Sequence, residues 1–202
     1  MNKYYIDNIL DRSFRGWLPV LDSDNNQLEL SAYTRISTTK SKKLLKVLGG
    51  IHKGKVVTID ESRLPHRVYS EYLSIEKDDN VKTLELHLNL SESSISFLMD
   101  NKPVTTSVSA THFEVGEYRI LTPSKRFSMS NVYLREGMGG SRFAETWFPI
   151  DDTSVTERYI HYGTYSLGCV TILDSEAWNR IYLCLLRSQQ QRRVCGVLKI
   201  TE

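Results

Sequence analysis

Apolar and polar residues alternate with a period of two through Thr83–Leu90, where Leu84, Leu86, Leu88 and Leu90 interleave with Glu85, His87 and Asn89. That is the pattern of a half-buried antiparallel strand, one face on a core and the other in water. Ile95–Met99 predicts a second strand, and Asp100-Asn101-Lys102-Pro103 has turn chemistry. Further strands are predicted at Val104–Ala110, Glu117–Leu121, Asn131–Leu134, Arg142–Phe148, Arg158–His161 and Val170–Leu173. The period then becomes helical, with Ala177, Trp178, Ile181, Tyr182 and Leu185 recurring on one face through Arg187 and Asp174 or Ser175 positioned to cap. A final strand is expected at Val194–Ile200. The first 75 or so residues are also strand-rich: Leu18–Leu21, a turn at Asp22–Asn26, Gln27–Tyr33, and Val47–Ile59 interrupted by Gly49, Gly50 and Gly54. The charged stretch Glu76–Asn80 sets an expected boundary, dividing a β-rich N-terminal region (1–78), either an accessory domain or a sheet extension, from residues 79–202. The expected class is mainly β with one late α-helix.

Composition narrows the function classes. At 202 residues, 40% hydrophobic and 25% charged, the chain has the balance of a globular protein. Lys plus Arg number 26 against 24 acidic residues, and a net charge of +2 gives no compositional case for a nucleic-acid partner. The basic clusters Lys40–Lys46 and Arg187–Arg193 read as solvated faces. No run of 18 apolar residues predicts a membrane span. Asp7, Asp11 and Arg12 interrupt the N-terminal apolar residues, so no secretory signal peptide is expected there. Three cysteines are too few for a disulfide framework. Cys184 and Cys195 fall in apolar surroundings and read as small buried side chains.

Cys169 is different. It lies in Arg158-Tyr-Ile-His161-Tyr162-Gly163-Thr-Tyr165-Ser166-Leu167-Gly168-Cys169-Val170, eight residues after a histidine. A thiolate is the reactive form of cysteine, and an adjacent imidazole can generate it. Eight extended residues would span about 26 Å, so the chain must double back for the two to meet. Gly163 and Gly168 permit a reversal, because glycine accepts positive φ. Ser166 could orient His161 or simply bond its own loop, and Tyr159, Tyr162 and Tyr165 either line a groove or pack across strands. Among the other histidines, His87 falls on the polar face of its strand. His52, His66 and His112 show no ligand spacing with Cys or carboxylates, so no metal site and no cofactor are expected. Gly137-Met138-Gly139-Gly140-Ser141 lacks the Lys-Ser/Thr ending of a phosphate loop and reads as a flexible loop beside a groove.

Ser166-Leu167-Gly168-Cys169-Val170 resembles the catalytic signature of the L,D-transpeptidase superfamily, and Ile160-His161-Tyr162-Gly163 is similar to its upstream histidine segment. The strands at 84–100, the segment Gly116-Glu117-Tyr118-Arg119-Ile120, the helix with Trp178 and Tyr182, and Gly196-Val197-Leu198-Lys199-Ile200 extend the likeness over roughly residues 82–202. It implies an L,D-transpeptidase-like β-sandwich or sheet as a catalytic domain over 79–202. By the same resemblance, Cys169 is the nucleophile and His161 the base, with Ser166 and Gly168 in the catalytic turn. Tyr162 and Gly163 would border the substrate, and Arg158 or Arg142 would receive a stem-peptide carboxylate. The implied reaction is L,D-transpeptidation or L,D-carboxypeptidation of peptidoglycan stem peptides through a thioester. Most members have a longer His–Cys loop, a histidine where Leu167 stands, and often arginine where Thr171 stands. In this the chain looks closer to the short-spacing effectors of bacterial type VI secretion. That subgroup implies an immunity or delivery protein as partner and action in a target periplasm. A non-catalytic cell-wall-binding relative and another cysteine amidase are the alternatives.

Overall fold

The computed structural model describes residues 2–6, 15–38, 43–64, 72–75, 83–129, 131–135, 139–152, 157–165, 167–188 and 193–202. They form two compact units, Met1–Val81 with Gln189–Arg193, and Lys82–Ser188 with Val194–Glu202.

The first unit contains strands β1 (Asn2–Ile6), β2 (Trp17–Asp22), β3 (Gln27–Ser31), β4 (Arg35–Thr38), β5 (Leu44–Val47), β6 (Val56–Ile59) and β7 (Leu73–Ile75). They make one seven-stranded sheet in the order β3-β2-β6-β5-β4-β1-β7. Every pairing is antiparallel. The predicted turn at 22–26 closes β2 onto β3, with Asp22 Oδ1 accepting from the Asp24 and Asn26 backbones and Asn25 at φ +61°. β5 alternates exposed and buried side chains, and Leu18, Val20, Ile36 and Leu45 are fully buried. Each such side chain contributes roughly 1.5–3 kcal/mol through burial.

The second unit contains β8 (Leu84–Asn89), β9 (Ser94–Met99), β10 (Lys102–Ala110), β11 (Gly116–Leu121), α1 (Asn131–Leu134), β12 (Phe148–Asp151), β13 (Tyr159–Tyr162), β14 (Val170–Ile172), α2 (Ser175–Arg187) and β15 (Val194–Thr201). Its eight strands close into a barrel in the order β10-β14-β13-β12-β11-β15-β8-β9. The mainly-β class read from the alternation is the class of the fold. In β8 the leucines are buried while Glu85 and His87 are exposed. Two contacts break the antiparallel rule: β15 runs parallel to β8, and β13 runs parallel to β14.

α2 is the predicted late helix. The Asp174 carboxylate accepts from the Ala177 amide at 2.7 Å, a cap of about 1 kcal/mol. Trp178, Ile181, Tyr182 and Leu185 are completely buried. Gly196 on β15 lets the helix approach: a Cβ there would lie 2.7 Å from Leu185 Cδ2.

Two predicted strands take other forms. Asn131–Leu134 is a single helical turn rather than a strand. Of Arg142–Phe148 only Phe148 enters a strand, because the preceding residues form successive turns through Ala144 N–Ser141 O and Thr146 N–Phe143 O bonds. Those turns send neighbouring rings to different partners, Phe143 onto Tyr182 and Trp147 onto His161.

Candidate active site

β13 and β14 are in register as Ile160↔Val170, His161↔Thr171 and Tyr162↔Ile172. Side chains alternate across a strand, so the residues sort onto two faces. Ile160 also pairs with Phe148, whose ring packs against Trp178 and Tyr182 of α2. The opposite face carries Tyr159, His161 and Thr171. Cys169, one residue before β14, has the odd-numbered position that follows this face, and it contributes to the environment of Tyr159, whose phenol is held above its ordinary pKa first by burial, then by Glu157 and by Cys169. A diagonal of one strand spacing and two residues separates His161 from Cys169, about 8 Å between Cα atoms. The bonds the two imidazole nitrogens make here go to the Tyr162 carbonyl and the Thr171 hydroxyl.

The doubling back is compact. Parallel strands ordinarily need a crossover of a dozen or more residues, whereas residues 163–169 complete this one. Gly163 donates its N–H to the Ile172 carbonyl at 3.2 Å, adding one rung to the ladder. A Cβ there would make ordinary van der Waals contact with Thr171 Cγ2 at 3.4 Å and His161 Nδ1 at 3.6 Å, so neither space nor a positive φ calls for glycine at 163. Gly168 is the residue that uses positive φ, at +76°. A Cβ on Gly168 would touch nothing within 4 Å, so conformation rather than space calls for glycine there. The Gly168 N–H points to Thr111 Oγ1 at 3.5 Å. Between the glycines, Tyr165 and Leu167 are exposed.

His161 is held on three sides. Nδ1 lies 3.0 Å from the Tyr162 carbonyl, which can only accept, so this nitrogen carries the proton. The lone pair then resides on Nε2, which faces the Thr171 hydroxyl at 3.4 Å. The ring stacks on Trp147, 4.1 Å between centroids at 14°. Burial lowers its pKa, and the bond to Tyr162 partly opposes that. The resting imidazole is therefore a neutral base with Nε2 as acceptor. Burial argues against a standing thiolate–imidazolium pair.

The other predicted site residues separate. Ser166 lies outside the described residues. Tyr162 points to the α2 side, its hydroxyl donating to the Gly139 carbonyl and its ring edge-on to Tyr133. Burial, with Asp174 and Tyr133, keeps that phenol protonated. Arg158, read as a carboxylate receptor, is buried and committed elsewhere. Its terminal nitrogens donate to Asp152 Oδ2 at 2.9 Å and to the His112 carbonyl at 2.6 Å, and its guanidinium lies over the Phe113 ring. Arg142 packs its guanidinium 5.7 Å from the Phe143 ring centroid. Of the predicted flexible loop, Gly137 and Met138 lie outside the described residues. Gly140 and Ser141 are buried, bonding back to Arg135 and Tyr133, because a Cβ at 140 would strike the Tyr133 carbonyl at 2.6 Å. His87 is exposed beside Glu85, and His66 lies outside the described residues. Among the described residues, no cluster of three metal-ligating side chains occurs and no helix is long and apolar enough to cross a membrane.

Sequence reasoning missed Thr111, Trp147 and Thr171. Only Thr171 had a local signal, as the next odd-numbered position after Cys169 on its strand.

No family model matches the chain, and no curated protein matches it. Among solved structures, an L,D-transpeptidase (Yku) from Stackebrandtia nassauensis is similar, at 13% identity and a TM-score of 0.38, over 63% of this chain and 58% of that one. The chain thus spans little more than half of that protein's length. Mycobacterium tuberculosis L,D-transpeptidase 1 is similar at 11% identity and a TM-score of 0.39, over 93% of this chain and 88% of that one. Scores this low describe a distant likeness, and the functional reading rests on the residues around Cys169.

Proposed function

We propose that the chain is a cysteine acyl-transfer enzyme acting on peptidoglycan stem peptides, an L,D-carboxypeptidase or L,D-transpeptidase. The observation that carries this reading is the tautomer of His161: Tyr162 fixes the proton on Nδ1 and leaves Nε2 as acceptor on the face that Cys169 shares. The substrate class comes from the resemblance of 160–163 and 166–170 to the L,D-transpeptidase signature.

Nε2 takes the thiol proton as Sγ attacks the carbonyl carbon before the terminal D-residue. The oxyanion is met by backbone N–H groups, those of Gly168 and Cys169 being the candidates, with Gly168 exchanging its long bond to Thr111 for the substrate oxygen. The C–N bond breaks, imidazolium returns its proton to the leaving amine, and a thioester remains. Water releases a tripeptide, and an acceptor amine forms a new peptide bond. Ser166 would steady the turn. The short loop supports an exported antibacterial effector, and residues 1–78 would be its accessory domain.

The test is digestion of purified sacculi followed by muropeptide separation. Tetrapeptides should become tripeptides or exchange their terminal residue with wild type and not with Cys169→Ser. A second reading has its own support: Cys169 is only 5% exposed and Nε2 faces Thr171. Under that reading the chain binds cell wall without chemistry. Unchanged muropeptides, with sacculi still retaining both proteins on sedimentation, would establish it.

A further inference from the structure

We infer that Trp147 is a positioning residue for His161, holding the imidazole by its face and favouring the cationic ring that proton transfer creates. The inference rests on the proposed acyl-transfer chemistry for its consequence and on geometry for its existence. Trp147 and His161 are near-parallel at 4.1 Å, closer than most aromatic contacts. The indole is itself fixed: Nε1 donates to the Ala144 carbonyl at 3.2 Å, and Phe127 stacks on it at 4.6 Å and 15°. Tyr159 meets both rings edge-on. The imidazole plane is thus set by an indole that cannot turn, while its edge is set by Tyr162 and Thr171. A ring buried this way resists protonation, yet a base must accept a proton. The electron-rich indole face is the group here that attracts a cation. Among the described residues, the Tyr159 phenol packs on the same indole as the imidazole, and the Cys169 thiol interacts with that phenol. Lys125 Nζ lies over the Phe127 ring, 5.4 Å from its centroid, and Arg126 pairs with Glu145 at 3.7 Å.

The test compares wild type, Trp147→Phe and Trp147→Met as full chains labelled with ring-15N histidine, His161→Gln supplying the assignment. Met fills the space without a π face. The His161 titration midpoint should fall in Trp147→Met and largely recover in Trp147→Phe. Cys169 alkylation at neutral pH should slow about tenfold in Trp147→Met and less than threefold in Trp147→Phe. If Trp147→Met does not fold, Trp147→Phe against Trp147→Leu makes the same comparison. Identical midpoints in all folded variants would overturn the inference. Midpoints that move while wild type leaves muropeptides unchanged would uphold it and sink the proposed reaction instead.

Discussion

Cys169, just before β14, and Cys195, on β15, are both buried thiols of the same barrel, 5% and 0% exposed, yet their surroundings differ in kind. Cys195 lies on β15, with Gly196 under Leu185 of α2, and its thiol donates to the Ile120 carbonyl at 3.5 Å. Burial alone pushes its pKa far up, so it remains a thiol at any physiological pH. Cys169 follows a positive-φ glycine, sits beside exposed Leu167, and shares a face with a base whose lone pair is free of its own proton. Accessibility alone hardly separates the two. What separates them is a fixed acceptor on the same face and a backbone turn that opens on solvent.

The comparison breaks most sharply by exchanging the sulfurs. Cys169→Ser should lower muropeptide conversion at least a thousandfold with little loss of stability. Cys195→Ser should leave conversion intact and cost about 1–3 kcal/mol in denaturant unfolding, because a hydroxyl replaces the thiol in an apolar site. Conversion surviving in Cys169→Ser would end the distinction. Next, His161→Ala should slow iodoacetamide alkylation of Cys169 about a hundredfold at neutral pH and leave Cys195 unchanged, read by peptide mass mapping.

The glycines sharpen the same contrast. Gly163→Ala should be tolerated, changing kcat by less than about threefold, since its methyl makes only van der Waals contact with Thr171 and the imidazole. Gly168→Ala should instead cost stability, about 1–2 kcal/mol, from its left-handed backbone. Equal effects on both readouts would show that the two glycines are not doing different jobs. Smallest is the effect of pH. His161 titrates lower folded than at its ordinary value of 6.5, so the unfolded chain binds more protons between the two. Stability should therefore be full above pH 6.5 and decline as pH falls toward the folded value. His161→Gln should flatten that slope, and a slope unchanged by the substitution would assign it elsewhere.

Much of this fold was legible because it is written in local periods. The leucines of β8, the capped apolar face of α2 and the Asp22–Asn26 turn each announce themselves within a few residues. The reversal between His161 and Cys169 was legible from distance alone. The barrel's closure was not, since the pairing of β10 with β14 joins strands about sixty residues apart in sequence and depends on register. Arg158 was misread for the same reason: Asp152 is near in sequence, but the His112 carbonyl and the Phe113 ring that occupy it come from a distant loop. Positive φ is the property expected of both glycines, and only Gly168 uses it, because a sequence does not show which residue of a turn takes the left-handed conformation.

The seven-residue crossover has a consequence for how the site assembles. Bringing His161 and Cys169 together closes a loop of eight residues, whereas bringing Thr111 to the Gly168 amide spans 57. By the logarithmic law of chain closure the longer loop costs about 1.7 kcal/mol more in entropy. Base and nucleophile are thus a low-contact-order element inside a barrel of high contact order, able to meet before the rest of the wall is complete. The Thr111 side arrives only with the finished barrel, so the thiol and its base can come together well before a complete oxyanion site does.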